Sequence, residues 1–305
     1  MRPPISASET ASAAATWLFV PGDRPERFGK AATSGADVVV LDLEDAVAPG
    51  AKNAARDHVA TWMAQAASPC AVRVNAVGTP WHDSDLATLA ALEGGRTVLV
   101  MVPKAENPDS IQSVVNALPV GSAVVALVET ALGVMQASDI ARVPGVARLA
   151  FGSYDLAAQL GVDPEHGPAL AAARSALVLA SAIGGLEGPI DGVTGDIHDA
   201  VQLTEDISKS CALGFAGKLC VHPRQVAPAE AALAPTPEHV IWAERVLAAA
   251  AASDGAVVLL EDRMVDAPVV ARARRIVDRI NRSGVASSSQ GDRSSARADA
   301  GPVIK

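Results

Sequence analysis

At 305 residues, half of them hydrophobic, the chain has apolar material for one large domain or two ordinary ones, and an α/β barrel fills this length alone. A net charge of −9 leaves no basic stripe for phosphates, which argues against nucleic acid as a partner. No apolar run approaches the ~18 residues of a membrane span, so no membrane partner is expected either.

Residues 1–15 are mostly small and polar, lack the apolar stretch of a signal peptide, and are expected to be disordered. From there short β-branched runs alternate with longer Ala-rich segments. Strands are predicted over 17–20, 37–41, 70–74, 97–102, 123–128, 147–151, 189–190 and 216–219. Helices are predicted over 25–33, 52–66, 84–92, 109–117, 169–183 and 199–213. Several strands are near-continuous apolar runs, the pattern of parallel strands covered on both faces. Eight strands alternating with helices imply an α/β fold of the (βα)8 TIM-barrel type over residues 16–235. A doubly wound sheet is the competitor, but no G-x-G-x-x-G follows the first strand. Beyond the eighth strand a helix over 236–252 and a further segment to about 280 exceed one closing helix. They predict a C-terminal helical extension, or lid, over 236–283, followed by a disordered tail over 284–305. Cys70, Cys211 and Cys220 show neither metal-ligand nor disulfide spacing, so reduced core thiols and a cytoplasmic location are expected.

In such a barrel the chemistry sits where the strands end. The first strand leads to Arg24, Arg27 and Lys30, the second to Asp42, Glu44 and Asp45, the third to Arg73 and Asn75, and the fourth to Lys104. The fifth and sixth lead to Glu129 and Asp155, 26 positions apart, an interval that suits neighbouring parallel strands. Two convergent carboxylates with the other positions left to water and substrate are how Mg²⁺ is usually held. Helix capping is the structural alternative for both. Asp191 and Asp196 follow the seventh strand as candidates for the mouth. His222 follows the eighth and reads as structural.

Several segments carry a resemblance: Leu18-Phe19-Val20-Pro21-Gly22-Asp23-Arg24, Leu41-Asp42-Leu43-Glu44-Asp45-Ala46-Val47, Arg73-Val74-Asn75 and Val102-Pro103-Lys104. They continue through Val128-Glu129-Thr130, Phe151-Gly152, Asp155-Leu156, Cys220-Val221-His222-Pro223 and Met264-Val265-Asp266-Ala267-Pro268. In this order the chain resembles the citrate lyase beta-subunit-like branch of the HpcH/HpaI aldolase/citrate lyase family over roughly residues 17–280. The resemblance implies a lyase dependent on Mg²⁺, with Mn²⁺ as the alternative ion. It would cleave or form a 3-hydroxyacyl-CoA thioester such as malyl-CoA or citramalyl-CoA, giving a 2-keto acid and an acyl-CoA.

On that reading Glu129 and Asp155 hold the metal, and Arg73 serves the reacting oxygen unless it only pairs with Asp42 or Glu44. Glu44 and Asp45 orient metal-bound water or cap the next helix. Lys104 balances the acids or takes part in catalysis. Arg24 and Lys30, with Arg27, bind CoA phosphates or form a solvated face. Asp266 lies in a segment resembling one that, in relatives, closes over a neighbouring subunit and supplies an aspartate. Its alternative is an N-cap. The resemblance also implies a homo-oligomer, trimer or hexamer. One departure stands beside the metal: Ser153-Tyr154 precede Asp155 where close relatives often place an acid. The alternatives are a class II pyruvate-type aldolase on free keto acids and a citrate lyase beta subunit acting on an acyl-carrier-protein thioester.

Overall fold

The computed structural model describes residues 6–65, 68–92, 96–165, 167–252, 257–261, 263–278 and 280. Eight parallel strands close on themselves in sequence order. They are β1 (Thr16–Pro21), β2 (Val38–Asp42), β3 (Cys70–Arg73), β4 (Leu99–Val102), β5 (Ala123–Val128), β6 (Val146–Phe151), β7 (Ile190–Asp191) and β8 (Gly217–Cys220). β1 bonds β2 on one side and β8 on the other, so the sheet has no free edge. Each crossover carries a helix: α2 (Phe28–Ala32), α3 (Lys52–Gln65), α4 (His82–Ala90), α5 (Pro108–Ala117), α6 (Ala131–Ala141), then α7 (Ser153–Leu160) with α8 (Ala171–Ile183), and α9 (Ala200–Leu213). α10 (Val226–Leu233) follows β8. This is the (βα)8 barrel expected.

The apolar runs are continuous because each strand buries both faces. Trp17, Val38, Val40, Ala71, Leu99, Met101, Val125, Leu127, Ile190 and Leu219 pack inside the barrel. Leu18, Val39, Leu41, Val72, Val100 and Val124 pack outward beneath the helices. Cys70 and Cys220 are free thiols, and burial pushes Cys70 up to about 11 and Cys220 up to about 12. No helix among the described residues is long and apolar enough to cross a membrane.

Residues 6–15 depart from the disorder expected over 1–15, while residues 1–5 lie outside the described residues. A helix, α1 (Ala7–Ala13), begins in a capping box where Ser6 and Glu9 satisfy each other's backbone. Its Ala7 and Ala11, with Ala14, join the inner core and close one end of the barrel. Alanines this small carry no visible apolar periodicity, yet they fit a barrel whose interior is itself partly alanine. The buried Arg148, inside the apolar run of β6, donates from its guanidinium to the carbonyls of Ala11, Ala14 and Gly188. The bonds to Ala11 and Ala14 satisfy carbonyls that the end of α1 leaves without helical partners.

The chain divides after Leu233 into two units. The second contains α11 (Pro237–Ala252), an antiparallel hairpin of β9 (Val258–Leu260) and β10 (Arg263–Val265), and a helix over residues 267–278. The extension is therefore not wholly helical: its short β-branched run pairs with itself. Ala243, Val246, Val265 and Ala273 form its core, and Arg272 lies over the Trp242 ring at 4.7 Å. The tail expected over 284–305 lies outside the described residues.

Candidate active site

The strand ends gather the predicted acids around Arg73. Asp42 and Arg73 are paired positions on β2 and β3. The fully buried Asp42 accepts from Arg73 Nε at 2.7 Å and NH2 at 2.6 Å. Its two oxygens also accept the backbone N–H groups of Glu44 and Ala46, which makes Asp42 the anchor of the loop that follows. Arg73 NH1 lies 3.1 Å from Glu44 Oε2, and its guanidinium stacks 4.8 Å from the Phe19 ring. Both structural pairings considered for Arg73 are thus present. Burial opposes the Arg73 charge, but Asp42, Glu44 and Glu129 outweigh it and hold the pKa above its ordinary value.

Glu129 is 2% exposed. It does not cap its own helix: Thr130 does that for α6, while Glu129 Oε1 accepts the backbone N–H of Lys104 at 2.8 Å. Lys104 makes this possible by adopting φ +49°, a strained conformation for a side chain of its size. Its ammonium donates to Glu44 Oε1 at 2.5 Å and lies 3.9 Å from Glu129. Asp155 stands exposed in the first turn of α7, whose N-cap, Gly152, makes no side-chain cap bond. A Cβ at Gly152 would lie 2.4 Å from Glu129 Oε2, so only glycine leaves room for that carboxylate.

Burial, together with the like charges of Glu44 and Asp155, pushes Glu129 up to about 8 against the opposing Lys104. Burial likewise raises Glu44 despite Arg73 and Lys104. In formal charge, Asp42, Glu44, Asp45, Glu129 and Asp155 face Arg73, Lys104 and Lys52, an excess of two negative charges. The 5% exposed Glu44 is spoken for on both oxygens, Oε1 by Lys104 and Oε2 by the ion pair with Arg73 NH1 at 3.1 Å. Surplus formal negative charge and a buried carboxylate with a raised pKa fit a divalent cation on Glu129 and Asp155. Among the described residues no group of three or more His, Cys, Asp or Glu side chains is placed to hold a metal ion.

Asp45 is exposed beside this cluster. Lys30 and Arg27 line a cavity of about 350 Å³ at the ends of β1 and β8, with Phe19, Ala31 and His222. Arg24 is exposed, 3.9 Å from Asp23, and does not line that cavity. His222 caps the turn after β8, its Nδ1 accepting from the Arg224 N–H. Burial, then Arg224, Lys30 and His198, lowers its pKa. Asp196 lines a smaller cavity of about 150 Å³ with His198 and Arg224. Asp191 departs from expectation: Ile190 points into the barrel, so Asp191 turns outward to Arg174 of α8 at 2.9 Å and the buried Lys218 at 3.4 Å. Tyr154 donates to Glu165 Oε1 at 3.2 Å, in the segment between α7 and α8, and its hydroxyl packs against Gly195 of the loop after β7. Asp266 belongs to the C-terminal unit, where Oδ1 accepts the Val269 N–H at 3.2 Å as the N-cap of the helix over 267–278.

Sequence reasoning missed Lys52, whose buried ammonium donates to the carbonyls of Leu43 and Glu44. A single lysine opening a helix gives no signal of burial. Arg148 and Lys218 did give one: each is a charge inside an otherwise apolar strand.

Comparison with known proteins agrees with this geometry. The chain is 40% identical over 283 residues to a citrate lyase subunit beta-like protein of Mycobacterium tuberculosis, covering 89% of this chain and 96% of that one. It is 32% identical to an L-malyl-CoA/beta-methylmalyl-CoA lyase of Cereibacter sphaeroides, covering 85% and 92%. Among solved structures, the CitE protein of M. tuberculosis in complex with magnesium, acetoacetate and coenzyme A superposes with a TM-score of 0.74 at 36% identity. That match covers 88% of this chain and 98% of the other. The family model for HpcH/HpaI aldolase/citrate lyase matches residues 15–223, the whole barrel apart from α1 and α10, and the chain belongs to that family of lyases.

Proposed function

We propose that the chain is a Mg²⁺-dependent carbon–carbon lyase of the cytoplasm. It cleaves or forms a 3-hydroxyacyl-CoA thioester of the malyl-CoA or citramalyl-CoA type, yielding a 2-keto acid and an acyl-CoA. The observation that carries this reading is the buried Glu129, crowded by Glu44 and Asp155 and given room by Gly152. The magnesium, acetoacetate and coenzyme A of the M. tuberculosis complex support it. Bound by Glu129 and Asp155, the ion supplies Lewis acidity to the carboxylate and neighbouring oxygen of the keto acid.

The protein's own groups do the rest. Arg73, fixed on Asp42 through Nε and NH2, offers its remaining N–H groups to the oxygen that gathers charge as the bond breaks. Glu44 and Asp45 accept from water at the site and orient it. In the cleavage direction the bond between the hydroxyl-bearing carbon and the acyl α-carbon breaks. Its electron pair stays with the acyl thioester as an enolate, and the hydroxyl proton passes to the water that Glu44 and Asp45 orient. A proton returns at the α-carbon, a step assigned to Asp266 of a neighbouring subunit in a trimer or hexamer. Lys30 and Arg24, joined by Arg27, hold the CoA phosphates.

The test is a panel assay: malyl-CoA, citramalyl-CoA and hydroxymethylglutaryl-CoA with Mg²⁺, trapping glyoxylate, pyruvate or acetoacetate. Turnover of a CoA thioester is expected. Turnover of free keto acid and aldehyde alone would move the assignment to an aldolase. Activity only on an acyl-carrier-protein thioester would move it to a citrate lyase subunit.

A further inference from the structure

The loop carrying Glu44 and Asp45 is gripped on both sides of its backbone. Asp42 holds the donor side, accepting from the N–H groups of Glu44 and Ala46 at 2.8 and 3.2 Å. Lys52 holds the acceptor side, its Nζ donating to Leu43 O and Glu44 O, each at 2.7 Å. The same ammonium faces the Trp81 ring at 5.2 Å. Lys52 is 5% exposed. Burial lowers its pKa, while Asp42, Glu44, Asp85 and Asp45 favour its charge from a distance rather than as hydrogen-bond partners. Burying a lysine to serve two carbonyls is costly, and opening α3 does not require it. What the arrangement does fix is the orientation of the two peptide units from which Glu44 projects.

We propose that Lys52 is a positioning residue, which locks the Leu43 and Glu44 peptide units so that the Glu44 carboxylate is presented to the metal site. This rests on the reading of Glu129 and Asp155 as metal ligands. Glu44 has one oxygen held by Lys104 and the other 3.1 Å from Arg73 NH1, so its carboxylate sits between the two cations beside Glu129. A rotation of the 43–44 backbone would swing that second oxygen away from the place where metal-bound water needs an acceptor. Lys52 touches no reacting atom and acts only through Glu44.

The experiment is a calorimetric Mg²⁺ titration of the full chain as wild type, Lys52→Met, Glu44→Gln and the double variant, with thermal unfolding in parallel. Lys52→Met should weaken Mg²⁺ binding about tenfold, the scale of lost outer-shell support. Glu44→Gln should then add little in that background, because both changes remove one effect. A Lys52→Met protein that unfolds at lower temperature but binds Mg²⁺ like wild type overturns the positioning role, as do fully additive losses. Should Lys52→Met fail to fold, Lys52→Arg keeps the charge but cannot converge one nitrogen on both carbonyls. Binding roughly threefold weaker is then expected, and unchanged binding overturns the proposal. Wild-type protein that takes up no Mg²⁺, or Glu129→Gln protein that takes it up normally, overturns the metal reading and this proposal with it.

Discussion

The buried Arg148 and the partly buried Arg73 lie at opposite ends of the barrel, and their acceptors differ. Arg148 donates to the neutral carbonyls of Ala11, Ala14 and Gly188, and α1 sits across that end. Arg73 is set among Asp42, Glu44 and Glu129, and with Asp45 and Asp155 these carboxylates formally outnumber Arg73, Lys104 and Lys52. A guanidinium on carbonyl dipoles completes a core. A guanidinium among more acids than it can neutralise leaves a site that still demands a cation. The same kind of side chain thus closes one end of the barrel and equips the other for chemistry.

The largest effect should come from the equipped end. Glu129→Gln removes one of the two proposed metal ligands, and lyase activity should fall at least ~10³-fold. The metal-free protein should unfold at the same or a higher temperature, since a carboxylate that resists ionisation is gone. Activity within tenfold of wild type would break the comparison.

At the closed end, Arg148→Met leaves buried carbonyls without their donor. It should cost about 3 kcal/mol in urea unfolding, with Mg²⁺ affinity unchanged within about twofold. A matching loss of metal binding would mean the two ends are not separable.

Acidity should affect only the equipped end. Glu129 must lose its proton to bind metal, so Mg²⁺ affinity should drop about tenfold per pH unit below its pKa of about 8 and level off above it. Without metal the sign reverses for stability. The folded-state pKa lies above the ordinary 4.5, so the folded state holds the proton more tightly than the unfolded chain does. Glu129's contribution is then full below 4.5 and is lost as the pH climbs to about 8. Metal affinity that stays level from pH 6 to 8 would contradict this charge account. The smallest effect belongs to the cap of α1: Ser6→Ala should cost about 1 kcal/mol and leave metal binding untouched.

The barrel was legible because parallel strands must be apolar on both faces, and the site because charges recur where those runs stop. Glu129, Asp155, Arg73, Glu44 and Asp42 were all readable in that way. What escaped had a physical reason in each case. α1 packs with alanines that show no apolar stripe, and Lys52 looks like any solvated lysine at a helix start. The hairpin of β9 and β10 is too short to show alternation. Asp191 was misjudged because a two-residue strand gives no parity from which to tell inside from outside. Its true partners, Arg174 and Lys218, lie far off in sequence.

The most direct measurement is a crystal of the protein soaked in Mn²⁺ and a 2-keto acid, with the ion located by its anomalous signal. The account predicts one peak, about 2.1–2.3 Å from carboxylate oxygens of both Glu129 and Asp155, with the keto acid's oxygens completing the sphere. A peak elsewhere, or one that touches only one of those two residues, would contradict it.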